Sequence, residues 1–372
     1  MSPQFVDWWL SHPSLFGMPF HFWTVFIVIL GSFVGSFLNV CIHRMPLEQS
    51  VVSPPSHCPH CRYSIPWYLN IPVITWLWLR GRCRSCAAPI SPRYLAVEVL
   101  TAALFALCWV HFGHNDPALA LALCVLFSLF VVATFIDFEH FIIPDPITLG
   151  GAGAGLILSP IAPGLHATFS AGEALKRSAL GIAIGFGVVY GVVRLGKLLF
   201  GRERIPIAPG TRVVFHEDGI LLPDRTIPFG EIFYRKSDTI RMVGRHVELA
   251  DRCYVEAEIR LNEAALVVGP DTFVPADEPY LAADATELVL PREAMGFGDV
   301  KFMATVGAFL GWQATLFTLA AASLLGAAIG LSLIVIGRRE WSARLPFGPY
   351  LTAGAALWLF GGSRFWARFI GY

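Results

Sequence analysis

Long apolar stretches constrain this chain more than any other feature of its sequence. A bilayer core about 30 Å thick needs roughly 20 apolar helical residues to cross it. Six stretches are long enough, namely 22–41, 94–112, 118–136, 174–200, 313–336 and 347–367. Only 15% of the residues are charged, which is too few for an ordinary soluble surface. The sequence therefore predicts an all-α polytopic membrane protein.

Two shorter apolar stretches, 147–163 and 300–312, are less clear. Orientation helps to decide them, because cytosolic loops carry an excess of Lys and Arg. Segment 42–93 contains six arginines and one acidic residue, and the loop 337–346 contains three arginines. Both are therefore predicted to be cytosolic.

If the residues just before Asp299 are also cytosolic, two crossings must lie between this residue and the loop 337–346. The stretch 300–312 must then span, and the chain must turn near Gly311. We predict about eight transmembrane helices with both ends outside. The predicted divisions are as follows. Residues 1–41 are an N-terminal segment with the first span, 42–93 a cytosolic loop and 94–200 a helical region. Residues 201–296 are a soluble insert and 297–372 a C-terminal helical region.

Residues 201–296 differ sharply from the rest of the chain. They contain 28 of the 54 charged residues, 17 acidic and 11 basic. Apolar and charged residues alternate in TIRMVGRHVEL and YVEAEIRL, which is typical of half-buried strands. The segment is predicted to be an inserted, β-rich soluble domain.

Acidic side chains beside apolar spans are few, and ionisable groups at membrane depth are usually functional. Asp137 ends one span, Asp145 follows it, and Asp299 begins another in the sequence GFGD. The predicted orientation brings Asp137 and Asp299 to the same face. Two adjacent carboxylates hold one proton between them, so one can act as base and the other as acid. The alternative is that Asp299 is a helix N-cap and Asp137 an interfacial residue.

Four sequence blocks carry a resemblance to a known family. In chain order they are GSFLNVCIHRMP, IDFEHFIIPD, GFGDVKFMATVGAFLGW and LPFGPYLTAG. Together they resemble prepilin peptidases, also called type IV leader peptidases. The resemblance implies an aspartic endopeptidase of the bacterial inner membrane, with its active site at the cytosolic face. Its substrates would be type IV prepilins or type II secretion pseudopilins, cut after a glycine just before their apolar helix.

The resemblance also assigns residues. Asp137 and Asp299 match the catalytic pair, with Asp145 the alternative to Asp137. Asp145 otherwise matches a structural position, such as a cap on the next helix. The GxGD motif contributes Gly296 and Gly298, which let backbone approach a partner closely, and Lys301 follows it as a residue that could tune the pair.

Two CxxC pairs, with 21 residues between them, lie in the predicted cytosolic loop: Cys58, Cys61, Cys83 and Cys86. This spacing is close to that of tetrathiolate zinc sites. Disulfides are disfavoured on the reducing cytosolic side. Four thiolates leave no open coordination position, so zinc here would be structural rather than catalytic, with redox chemistry as the alternative.

In prepilin peptidases that carry this loop, it is associated with N-methylation of the new pilin terminus by S-adenosylmethionine. The following ISPRYLAVE is similar to the family's arginine-tyrosine-proline block but has Leu95 in place of proline. Arg93 and Glu98 are the candidate methyltransferase residues. The ordinary glycine-rich methyltransferase pattern is not visible in the sequence.

Several alternatives stay open. The insert could bind pilus or secretion assembly proteins, cover the active site, or be an inert solvated domain. The chain could instead be a presenilin-like GxGD protease, a transporter whose membrane acids carry ions, or an inactive assembly scaffold. A net charge of zero gives no electrostatic support for a nucleic-acid partner, and none is predicted.

Overall fold

A computed structural model of the chain describes residues 18–200, 202–208, 211–216, 219–222, 226–233, 238–278, 280–291, 296–337 and 345–371. The first 17 residues of the predicted N-terminal segment and the arginines of the loop 337–346 lie outside these ranges. The chain separates into two compact units. One comprises Met1–Tyr190 and Gly296–Tyr372, and the other is Gly191–Met295.

The first unit is helical. Its helices are α1 Phe20–Arg44, α2 Ile74–Trp78, α3 Pro92–Cys108, α4 Pro117–His140, α5 Asp145–Ile161, α6 Ala171–Phe200, α7 Phe297–Val335, α8 Gly348–Leu357 and α9 Ser363–Trp366. Helix α6 continues into the second unit. The chain continues in π-helical turns after α3, α8 and α9. Helices suit a bilayer because they satisfy every backbone polar group internally.

Five helical segments are long and apolar enough to cross a membrane. They are Phe20–Leu47, Pro92–Gly113, Pro117–His140, Ala171–Leu198 and Phe297–Val335. The chain is thus a membrane protein with a mostly helical fold, as predicted. The number of eight spans stays a prediction.

Helix α7 is broken at Gly311, whose φ of 81° and ψ of 176° are not helical. This left-handed φ is one that glycine adopts at little cost. The break falls where the sequence predicted a turn between two crossings. The two resulting segments, 297–310 and 312–335, correspond to the short and the long apolar stretches.

Close backbone contacts hold the helices that carry the acidic residues. Gly181 of α6 lies against Gly307 of α7, and a Cβ on Gly181 would come within 2.0 Å of the Gly307 carbonyl oxygen. Thr305 of α7 donates a 2.6 Å hydrogen bond to the carbonyl oxygen of Thr148 in α5. Such small-residue crossings and hydroxyl bonds are typical of membrane helix packing.

The second unit contains a nine-stranded antiparallel sheet. The strands are β1 Arg202–Pro206, β2 Arg212–His216, β3 Gly219–Leu221, β4 Thr226–Pro228, β5 Ile240–Leu249, β6 Cys253–Leu261, β7 Leu266–Val268, β8 Asp271–Phe273 and β9 Leu281–Pro291. Their order is β4-β3-β2-β9-β5-β6-β7-β8, and β1 also pairs with β9. Burial alternates along β5, so its apolar side chains face one core. The β-rich character predicted from alternation is confirmed.

Candidate active site

Asp137 lies three residues before the end of α4 and is buried, with 5% of its surface exposed. The helix ends at His140 because Phe141 adopts a left-handed conformation, while its amide still bonds to the Asp137 carbonyl oxygen. Pro144, which follows shortly after, cannot extend the helix. The carboxylate is therefore held on the last turn of a membrane-spanning helix.

Asp299 is the third residue of α7 and is also buried. Gly296 is the N-cap residue of this helix, and its carbonyl oxygen accepts a 3.2 Å hydrogen bond from the Asp299 backbone amide. Gly298 lies so close to Ile143 that a Cβ would come within 3.2 Å of the Ile143 backbone nitrogen. Both motif glycines thus help to place Asp299.

The two aspartates belong to different helices, Asp137 to α4 and Asp299 to α7. Asp299 lies within range of the negative charge of Asp137, and both side chains are removed from water. Two buried carboxylates in this situation do not readily ionise together, so the pair can hold one proton. The arrangement can accept a proton at one oxygen and deliver one from another.

Gly348, a residue not singled out in the sequence, completes the surroundings of the pair. Its amide donates a 2.7 Å hydrogen bond to Oδ2 of Asp137. It is the first residue of α8, where backbone amides are free and the helix dipole favours negative charge. The only sequence signal was its place in the LPFGPY block.

We expect Gly348→Ala to impair any activity of the pair. A Cβ at this position would lie 2.9 Å from Oδ2 and 3.2 Å from Cβ of Asp137, so the carboxylate must move. A hydrogen bond to a charged group contributes about 1.5–3 kcal/mol, which corresponds to a loss of roughly 10- to 100-fold in rate. The measurement is the cleavage rate of a prepilin-type peptide. Gly150→Ala is the control, because a Cβ there meets nothing within 4 Å.

Asp145 differs from the pair in its surroundings. Its side chain is 58% exposed and accepts a 2.6 Å ion-paired hydrogen bond from Nζ of Lys301. Pro144, rather than Asp145, is the N-cap residue of α5, so the suggested capping role is wrong. The carboxylate instead links the start of α5 to α7 through Lys301, whose ammonium also lies 5.2 Å from the centre of the Phe297 ring.

The four cysteines between α1 and α3 converge. Their Sγ atoms all lie within 4.8 Å of one another, with 3.8 Å between Cys58 and Cys86 and 3.9 Å between Cys61 and Cys83. A Zn–S distance of about 2.3 Å gives tetrahedral S–S separations of about 3.8 Å. The cluster therefore fits a tetrathiolate zinc ion.

The two CxxC turns have the same backbone geometry. The residue after each second cysteine is left-handed, with φ of 57° at Arg62 and 56° at Ala87. In each turn the amide of the first cysteine bonds to the carbonyl oxygen five residues later, 3.0 Å for Cys58 and 2.8 Å for Cys83. Backbone amides of Cys86 and Ser85 lower the pKa of the Cys83 thiol to about 6, which favours the thiolate that a metal needs.

We expect the purified chain to contain one zinc per molecule and Cys83→Ser to lose it. Three remaining thiolates and a hydroxyl form a weaker site, so the metal is bound less tightly. Metal content is measured by plasma mass spectrometry. Cys253→Ser is the matched control, because Cys253 is exposed but belongs to the β-sheet unit. Zinc retained by Cys83→Ser at full occupancy would contradict the assignment.

The two candidate methyltransferase residues lie on α3 but have different partners. Arg93 forms an ion pair with Glu139 near the end of α4. Glu98 is buried and accepts a 2.7 Å hydrogen bond from the backbone amide of Val73, in the cysteine-containing loop. The structure thus does not join Arg93 to Glu98. It ties Arg93 to the helix of Asp137 and Glu98 to the tetracysteine loop.

The fold and the site define a class: polytopic membrane proteins with a buried aspartate pair on two helices and a tetrathiolate loop between the first two long helices. Two family models match this chain. "Bacterial Peptidase A24 N-terminal domain" matches residues 29–112, and "Type IV leader peptidase family" matches 124–205 and 267–331. Together they cover more than half of the chain. The chain belongs to the type IV leader peptidase family.

Similar proteins agree with this assignment. Three relatives named prepilin leader peptidase/N-methyltransferase come from Myxococcus xanthus, Dichelobacter nodosus and Aeromonas hydrophila. They are 42, 38 and 29% identical, over 53, 48 and 92% of this chain and 56, 68 and 92% of the relative. No solved structure matches the chain. Their names support both prepilin processing and methyl transfer as activities of the family.

Proposed function

We propose that the chain is an aspartic endopeptidase that removes the leader peptides of type IV prepilins or type II secretion pseudopilins. The observation that carries this proposal is the buried pair of Asp137 and Asp299, brought together from residues 162 positions apart in a chain of this family. Two neighbouring carboxylates that are shielded from water repel each other, and this repulsion destabilises the fold. A structural role, as a salt bridge or an N-cap, would not require both of them.

In the proposed reaction one carboxylate takes a proton from water while the water oxygen attacks the scissile carbonyl carbon. The protonated carboxyl of the other aspartate then gives its proton to the departing amine nitrogen, and the C–N bond breaks. The Gly348 amide keeps one oxygen of Asp137 fixed during these transfers. The proton that leaves water thus replaces the one that the pair has delivered.

The proposed location is the cytosolic face of the bacterial inner membrane. The basic segment 42–93 orients the first helices, and Asp137 lies at the end of α4, where two crossings, by α3 and then α4, return the chain to that side. A substrate helix in the bilayer would present its leader junction at the same level. A protease cutting within a transmembrane helix is the competing proposal.

We also propose that the chain N-methylates the new amino terminus with a methyl group from S-adenosylmethionine. The support is the name shared by the relatives and the tetracysteine loop. Arg93 and Glu98 are the candidate residues, because both connect α3 to neighbouring parts of the same unit. Zinc in this loop would hold it in shape.

The insert at 201–296 is proposed as a contact for pilus or secretion assembly proteins. Its long β5–β6 hairpin exposes charged side chains of both signs, which suits a polar docking surface. Deleting the domain would then leave cleavage of a free peptide intact but lower prepilin processing in cells.

The test of the main proposal uses the full chain in lipid nanodiscs and a prepilin-type substrate with its leader and apolar helix. We expect one cut, immediately after the glycine before the apolar helix, identified by mass spectrometry. Adding S-adenosylmethionine should raise the mass of the mature fragment by one methyl group. Cuts within the apolar helix would favour the presenilin-like alternative, and no cutting of any such substrate would favour a scaffold.

A further inference from the structure

An exposed set of large apolar side chains lies in the tetracysteine loop. Trp67 is 83% and Trp78 70% exposed, and Tyr68, Ile74 and Leu77 are exposed as well. Three of these share one face of α2, since Ile74, Leu77 and Trp78 are spaced i, i+3 and i+4. A loop surrounded only by water would not be expected to expose so many large apolar side chains in one short segment.

The opposite face of α2 packs inward. Thr75 is buried, and Trp76 lies against Gly81, where a Cβ would come within 2.7 Å of the indole ring. The helix is therefore amphipathic although it is short. These inner contacts fix the orientation of the helix, so its apolar outer face stays exposed.

The position of α2 along the membrane normal follows from its first contact. The Val73 amide, just before α2, donates to Oε2 of Glu98. Glu98 is the seventh residue of α3, about 9 Å along a helix that begins at Pro92. Its neighbours Val99 and Leu100 are exposed apolar side chains of that spanning helix. The start of α2 thus lies at the level of the lipid-facing first turns of α3.

The backbone at Val73, whose hydrogen bond to Glu98 sets the depth of α2, has an unfavourable conformation. Val73 has a left-handed φ of 62°, which is unfavourable for a β-branched residue. The buried Glu98 carboxylate accepts its amide and offsets part of this cost. The backbone is therefore held where α2 begins.

Positive charge follows the aromatic segment in the sequence. Arg80, Arg82 and Arg84 are exposed, and no Asp or Glu occurs between Glu48 and Glu98 in the sequence. Across the described residues, none of the three arginines forms an ion pair with an acidic side chain. A basic segment tethered between two spans attracts anionic headgroups.

We propose that the segment 67–78 lies in the interface of the cytosolic leaflet, with its aromatic face among the acyl chains and Arg80, Arg82 and Arg84 among anionic phospholipid headgroups. Trp and Tyr favour this level of the bilayer. The partner is the bilayer surface because the segment is continuous with two spanning helices and complements its charge. This inference rests on the membrane location of the chain and not on the proposed peptidase activity.

The test uses the full chain in nanodiscs that contain lipids brominated at a shallow or a deep acyl position. The fluorescence of Trp78 is obtained as the difference between the wild type and Trp78→Phe, and that of Trp76 in the same way. We expect bromine at the shallow position to remove most of the Trp78 signal and little of the Trp76 signal. Trp76 is the matched control, because it lies on the same helix but faces inward.

Aqueous iodide provides the opposite measurement, because it quenches the fluorescence of tryptophans that face water. A Trp78 signal that iodide removes and brominated lipid does not would overturn the proposal, since the residue would then face water. A Trp78 signal shielded from iodide only after a prepilin-type peptide is added would also overturn it, in favour of substrate docking. Zinc content is checked in each variant to show that the loop keeps its shape.

A second variant tests the proposed contact between the three arginines and anionic headgroups. In wild type, shallow quenching of Trp78 should increase when phosphatidylglycerol replaces part of the phosphatidylcholine. The triple variant, which combines Arg80→Gln, Arg82→Gln and Arg84→Gln, should not show this increase in quenching but should retain the zinc. An increase of the same size in the triple variant would overturn the assignment of these arginines to anionic headgroups.

Discussion

Asp137→Asn and Asp299→Asn are each expected to lower the cleavage rate by at least about 10³-fold while the protein stays folded. Asparagine has nearly the same shape as aspartate but cannot exchange a proton at neutral pH. Either change leaves one ionisable carboxyl where the proposed reaction needs two. The measurement is the single-turnover cleavage of a prepilin-type peptide in nanodiscs.

The matched control is Asp145→Asn. It removes the third aspartate near these helices, but this carboxylate is exposed and paired with Lys301. An exposed ion pair contributes about 0–1 kcal/mol, so we expect a loss of less than about tenfold. Abolished cleavage in Asp145→Asn together with normal cleavage in Asp137→Asn would transfer the catalytic role to Asp145.

Folding must be followed separately, because relieving a buried charge pair can change stability. Removal of one of two repelling carboxylates is expected to leave stability equal or higher. Zinc content and thermal unfolding in detergent report on the loop and on the helices. A variant that loses activity and zinc together would speak for misfolding rather than lost chemistry.

Much of the fold could be predicted from local patterns. Apolar length predicts helices in lipid because the backbone has no other partner there. Alternating residues predicted the β-sheet unit, and the CxxC spacing predicted the converging cysteines. Even the break at Gly311 followed from counting crossings.

Contacts between distant residues were not predictable in this way. The bond from Gly348 to Asp137 joins residues 211 positions apart, and the ion pair of Lys301 with Asp145 joins residues 156 apart. Neither leaves a periodic signal, since each depends on how whole helices pack. The family resemblance identified the blocks that contain these residues but did not show which atoms meet.

The crossing of α6 and α7 leads to the second large effect. Gly181→Ala is expected to destabilise the helical unit by about 1–3 kcal/mol or more. Its Cβ would lie 2.0 Å from the carbonyl oxygen of Gly307 and 2.7 Å from the carbonyl carbon, and backbone atoms cannot swing aside as a side chain can. The helices must separate, and their dispersion contacts are lost.

Gly187→Ala makes the same chemical change six residues later in α6, where a Cβ meets nothing within 4 Å. Alanine is favoured over glycine in a helix by about 1 kcal/mol, so this variant should be as stable as wild type or more so. Thermal unfolding of both variants in detergent measures the difference. Equal melting temperatures would contradict the close crossing. Because Asp299 lies in the first turn of α7, a shifted crossing should also lower cleavage in Gly181→Ala, whereas Gly187→Ala should retain it.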